Sequence, residues 1–102
     1  MLRITRHDQS AARVTLRLEG RLVNAWAELL ERECSALIGS VAAVGVELSG
    51  VGFVDRSGVK TLRRLHRAGV SIRGCSDLLA TILESEGIPI GRTATDTHGG
   101  GS

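Results

Sequence analysis

Asp55, Arg56, Ser57 and Gly58 form the stretch of this 102-residue chain whose residue types come nearest to a reactive site. A serine becomes a nucleophile only with a base in hydrogen-bond reach. His66 is nine residues further on, and in one helix that is about 13 Å along the axis, a gap side chains do not close. His7 and His98 stand in a polar turn and near the C-terminal end, with no acidic partner at a suggestive spacing. The surroundings of Ser57 are not G-x-S-x-G, and Arg56 interrupts the D-[ST]-G of an aspartic protease. Gly50 and Gly52 precede a helix start, yet there is no G-x-x-x-x-G-K-[ST] and no lysine in the turn. They are read as turn residues with unusual backbone angles. No enzymatic reaction and no cofactor are expected. What remains is a hydroxyl at the mouth of a helix, where unpaired N–H groups and a partial positive charge tolerate an added phosphate.

Bulk composition narrows the partners. The formal net charge is +2 and the arginines are spread along the chain, and Trp26 and Phe53 are its aromatic residues. A stacking surface for single strands needs more, so nucleic acid is not an expected partner. No apolar run approaches the roughly 20 residues of a membrane-spanning helix, and MLRITRHDQS lacks the apolar segment of a secretory signal. A cytoplasmic location is the expectation, with no membrane insertion. Cys34 and Cys75 are separated by 40 residues. That is no metal-ligand spacing, and each lies in an apolar pattern, so both are expected to be reduced and buried.

The elements that must position Ser57 follow from periodicity. Leu2 and Ile4 alternate with polar neighbours as an edge strand, and residues 7–11 make a polar turn. Val14, Leu16 and Leu18 point one way while Thr15, Arg17 and Glu19 point the other, and Gly20 ends this second strand. Asn24 is a plausible N-cap for an amphipathic helix with Trp26, Leu29, Leu30, Cys34, Leu37 and Ile38 on its apolar stripe, ending near Gly39. Residues 41–48 read as a central strand, with Gly50 and Gly52 in the turn after it. Asp55 caps the next helix, whose Val59, Leu62 and Leu65 face inward while Lys60, Arg63, Arg64 and Arg67 face water. Gly69 closes it. Val70 and Ile72 belong to a short strand, and Ser76 caps a third helix with Leu78, Leu79, Ile82 and Leu83 buried. Residues 88–90 add a brief extended piece. The expectation is an α/β domain over residues 1–90, in the order β-β-α-β-α-β-α, and a flexible tail over 91–102. A hairpin followed by βαβ units gives a mixed sheet with helices mainly on one face.

This order of elements, together with ELSGVGFVDRSGV, resembles the STAS domain, and most closely the bacterial anti-sigma-factor antagonists. Glu47-Leu48-Ser49 is similar to the D-L-S-like step that ends the family's buried strand, and Asp55-Arg56-Ser57-Gly58 to its D-S-S-G turn. LRLEGRLVNA is similar to its second strand and L-x-G-x-L-D loop. The resemblance covers residues 2 to 90. It departs at the loop aspartate, which is Val23 here, and at the first serine, which is Arg56. What the resemblance implies is a non-catalytic interaction module that binds an anti-sigma factor or serine kinase-like partner and is phosphorylated at Ser57. The alternative is a constitutive STAS adaptor, docked on a transporter ATPase in an ABC-type lipid-transport or signalling complex. The implied partner surface is the turn and the helix after it: Val23, Asn24, Asp55, Arg56, Ser57, Gly58, Lys60, Thr61 and Arg64.

Overall fold

Two parallel strands carry the domain. β2 (Arg13–Leu22) buries Val14, Leu16, Leu18 and Leu22, and β3 (Ala43–Val54) buries Val44, Val46, Leu48 and Val51. Period-two alternation puts these side chains under the helices, with Arg17 and Glu19 exposed on the opposite face. The structure, a computed structural model, describes residues 2–7 and 12–91. β1 (Leu2–His7) pairs antiparallel with β2, from Leu2 opposite Gly20 to His7 opposite Thr15. β4 (Ser71–Arg73) pairs parallel with β3, giving the order β1-β2-β3-β4. Helix α1 (Asn24–Ile38) crosses from β2 to β3, and α2 (Arg56–Arg67) from β3 to β4. They pack on the sheet and on each other, and α3 (Asp77–Ser85) follows β4. The fully buried side chains include Leu16, Leu18, Leu30, Leu48, Leu62, Leu83 and Ile88, drawn from all three helices and both long strands. No helix among the described residues is long and apolar enough to cross a membrane.

The expected element order is the observed one, and the departures are local. Gly20 does not end β2. It takes a φ of 112° inside the strand, where the pairing with β3 shifts register, as a glycine bulge does. Gly50 and Gly52 lie within β3 instead of a turn. A Cβ on Gly50 would stand 2.7 Å from Glu19 Cγ and 2.9 Å from the Leu18 carbonyl oxygen, so this glycine marks a close approach of two strands. β3 begins at Ala43, two residues later than expected. Thr15 is buried, and its Oγ1 has no hydrogen-bond partner among the described residues.

On α1 the buried stripe is Ala27, Leu30, Cys34 and Leu37, while Ile38 is exposed. On α3, Leu79 and Leu83 are buried one turn apart, whereas Leu78 and Ile82, a step round the helix, face outward. A nine-residue helix resting on the core along one narrow line covers only that line. Cys34 is buried as expected and Cys75 partly so. Desolvation, with Glu33 and Glu31 adding to it, pushes the Cys34 thiol up to about 12, which keeps it protonated and unreactive. Gly91, placed by the sequence at the start of the tail, donates its N–H to the Ile72 carbonyl at 2.8 Å. Residues 8–11 of the polar turn and 92–102 of the tail lie outside the described residues.

Candidate functional site

Leu22 and Val54 are opposite one another at the ends of paired parallel strands, so β2 and β3 release the chain at the same edge of the sheet. Each leads directly into a helix, which sets the N-termini of α1 and α2 side by side. In open α/β sheets this edge, beyond the carboxyl ends of the strands, is where ligands collect.

Asp55 joins the two helix starts. Its Oδ1 accepts the Gly58 N–H at 2.8 Å and so caps α2, as the sequence predicts. Its Oδ2 accepts the Asn24 N–H of α1 at 3.2 Å. The expectation that Asn24 caps α1 is not met. Val23 occupies the cap position without a side-chain hydrogen bond, and Asn24 is the first helical residue, with a φ of 45°. Asparagine tolerates that left-handed geometry better than most residues. Asn24 lies one residue past the cap position, and a carboxylate from the next crossover accepts its N–H instead. Asp55→Ala removes the acceptor of both N–H groups. A cost of about 2 kcal/mol is expected, the upper end of the range for one cap, while Asp55→Asn keeps one oxygen and loses less. Urea midpoints of the two variants check the order.

Ser57 is exposed in the first turn of α2. It opens into a groove of about 350 Å³, walled by Asn24, Ala25 and Glu28 of α1 and by Lys60, Thr61 and Arg64 of α2. Five of the nine residues singled out from the sequence, Asn24, Ser57, Lys60, Thr61 and Arg64, therefore share one cavity. Asp55 and the buried Gly58 lie at the start of α2, and Val23 is half-buried beside them. Arg56 lies apart. It lines a second depression with Val59, Arg63 and Glu86, and Lys60 borders both. Beyond Asn24, the α1 wall escaped the sequence reading. Glu28 and Glu31, one turn apart on the polar side of α1, were the available sign of a face turned toward a basic helix.

α2 has no acidic residue and carries Arg56, Lys60, Arg63, Arg64 and Arg67. Two of these cations are structural instead of freely solvated. Arg64 makes a forked pair with Glu31 of α1, at 2.9 Å from Nε and 2.8 Å from Nη2, which holds the Glu31 carboxyl below the usual carboxylate range. Arg63 Nη2 donates to the Glu86 carbonyl at 3.1 Å and to its carboxylate at 2.9 Å, tying α2 to the end of α3. Arg56, Lys60 and Arg67 are exposed without an ion pair among the described residues. Ser57 thus sits at a helix N-terminus with a surplus of positive charge along the helix that bears it. No group of three or more His, Cys, Asp or Glu side chains among the described residues could hold a metal ion.

No protein-family model matches the sequence, and no curated protein does. Solved structures do. The chain is similar to the anti-sigma factor antagonist SpoIIAA in its unphosphorylated form, with a TM-score of 0.76 and 16% identity, over 93% of this chain and 91% of that one. It is similar to the Bacillus cell fate determinant SpoIIAA in the phosphorylated form, with a TM-score of 0.71 and 17% identity, over 93% and 95% of the two chains. An anti-sigma factor antagonist from Mycobacterium paratuberculosis matches with a TM-score of 0.71 and 18% identity, over 94% and 90%. The fold is that of the anti-sigma-factor antagonists and their STAS relatives, as the sequence resemblance implies.

Proposed function

We propose that this chain is a non-catalytic protein-interaction module of the anti-sigma-factor antagonist type, binding an anti-sigma factor or serine kinase-like partner through α2 and the groove beside it, with Ser57 as its phosphorylation site. The observation that carries the reading is the exposed Ser57 hydroxyl in the first turn of α2, on a fold shared with SpoIIAA, a protein described in both unphosphorylated and phosphorylated forms. Phosphorylation adds close to two negative charges. At a helix N-terminus that charge is stabilising, not disruptive, so the domain stays folded. Against a partner packed on the same turn, the added charge and bulk are repulsive. Arg56 lines the neighbouring depression on the flank of α2 and not the groove that holds Ser57.

The test is intact mass after incubation with ATP and the serine kinase recovered by this chain from native lysate. One added phosphate, lost in Ser57→Ala, supports the proposal; an unmodified chain, or recovery of a transport ATPase, counts against it. Ser57→Asp is expected to leave stability unchanged or raise it by no more than about 1 kcal/mol, since a carboxylate in the first turn of a helix is favoured, while weakening partner binding. Thermal melting and a binding titration on the same preparation separate these two effects.

A further inference from the structure

The groove beside Ser57 is reached by a hydroxyl that its own helix leaves unused. Thr61 is 2% exposed, lines the groove, and has no side-chain hydrogen-bond partner among the described residues. A threonine inside a helix commonly turns its hydroxyl back to the carbonyl four residues earlier, as Thr81 does to Asp77 at 2.9 Å in α3. Thr61 does not. Its oxygen, unlike Thr15 Oγ1, is not sealed from solvent; the access it keeps is toward the groove the residue lines, where a ligand oxygen can accept from it.

Resting on the reading of Ser57 as a phosphoacceptor, we propose that the groove between the N-termini of α1 and α2 is a phosphate receptor, in which Thr61 and Lys60 hold the phosphate carried by Ser57. Ser57, Lys60 and Thr61 are spaced i, i+3 and i+4 in α2, which stacks them on one helix face. Lys60 is exposed and without an ion pair among the described residues. The opposite wall begins with Asn24 and Ala25, in the first turn of the 15-residue α1. The groove therefore lies between two positive helix ends. Asn24 N–H is committed to Asp55, and Arg64 to Glu31; neither is counted as a ligand. Glu28, an acidic wall residue of α1, is exposed, and Lys60 in the same groove offsets its charge. A phosphate on Ser57 would lie along α2, accept from the Thr61 hydroxyl and the Lys60 ammonium, and fill the groove. The switch then works by occupying the docking groove as well as by repulsion.

A phosphate monoester in cis and a free phosphate present the same chemistry, and two arms of one NMR experiment distinguish them. In the first, the full 15N-labelled chain is titrated with sodium phosphate, against sodium chloride at matched ionic strength. Shifts are expected to centre on Ala25, Ser57, Lys60 and Thr61. Lys60→Gln and Thr61→Val are each expected to weaken phosphate binding about tenfold, the effect of one charge-assisted hydrogen bond, while Arg67→Gln leaves it unchanged. In the second arm, phosphoserine is installed at position 57 by genetic encoding. The Lys60 and Thr61 signals should shift without added phosphate, and the response to free phosphate should disappear because the groove is filled. Shifts scattered over the exposed arginines overturn the receptor. So do Lys60→Gln and Thr61→Val chains that titrate like the parent, or a phosphoserine chain that still binds free phosphate in the groove. Lys60→Gln, a surface change, keeps the test decisive if Thr61→Val folds poorly. Should no kinase modify Ser57 while both arms behave as described, the phosphoacceptor reading falls and the receptor stands.

Discussion

Gly58→Ala is expected to cost about 3 kcal/mol or more, at the upper end for overpacking a tight site. Gly58 is buried in the first turn of α2. A Cβ there would overlap the Leu22 carbonyl oxygen and stand 2.6 Å from Val54 Cγ1 and 3.2 Å from Leu22 Cγ. The first of these is a backbone atom of β2, and it also accepts the Asp55 N–H at 3.3 Å. It cannot rotate aside as a side chain could. To admit one methyl group, the start of α2 must lift from the ends of β2 and β3, which loosens the Asp55 cap and opens the groove. Gly39→Ala is the control. Gly39 has a φ of −81° and nothing within 4 Å of the added Cβ, so a change within about 0.5 kcal/mol, or slight stabilisation, is expected. Urea denaturation of both variants measures the contrast. A Gly58→Ala loss below about 1 kcal/mol, the mean for an arbitrary substitution, would contradict the close approach.

The second large effect lies in the core beneath the site. Leu62 of α2 and Leu30 of α1 are both 0% exposed and belong to one apolar cluster with β2 and β3. Truncating either to alanine is expected to cost about 2–5 kcal/mol, because the lost transfer energy is joined by that of the cavity left behind. α1 and α2 pack against each other, so the double variant should not lose the simple sum, since neighbouring sites couple. Leu78 gives the opposite case. It is 73% exposed on α3, and Leu78→Ala should change stability by no more than about 0.5 kcal/mol. From the sequence alone Leu62 and Leu78 carry the same expectation, and the denaturation midpoints distinguish them.

That pair of leucines shows where sequence reasoning stops. Periodicity, with the nearly continuous apolar run of the central strand, identified the strands and helices, because burial repeats every two residues in a strand and every 3.6 in a helix whatever the partner. It located Ser57 at a helix start and Asp55 as its cap. It could not tell how wide a stripe each helix buries, which depends on how many elements flank it: α2 is braced on both sides, through Arg64 to α1 and Arg63 to α3, and α3 is not. Glycine was the other blind spot. Gly20 and Gly50 look like turn residues, yet they serve a bulge and a close strand contact, both properties of β2 and β3 together. The long reach of Asp55 to Asn24, over 31 residues, likewise exists only once the two strand ends are aligned. Beyond Asn24, the α1 wall of the groove was missed for the same reason.

The most direct test of the binding account is a calorimetric titration of the partner recovered from native lysate against two forms of the chain, one unmodified and one carrying phosphoserine at position 57. The unmodified form should bind, and the phosphorylated form should bind at least about tenfold more weakly, a difference of about 1.4 kcal/mol, with both forms melting at similar temperatures. Equal affinity for the two forms would contradict the proposed role of Ser57.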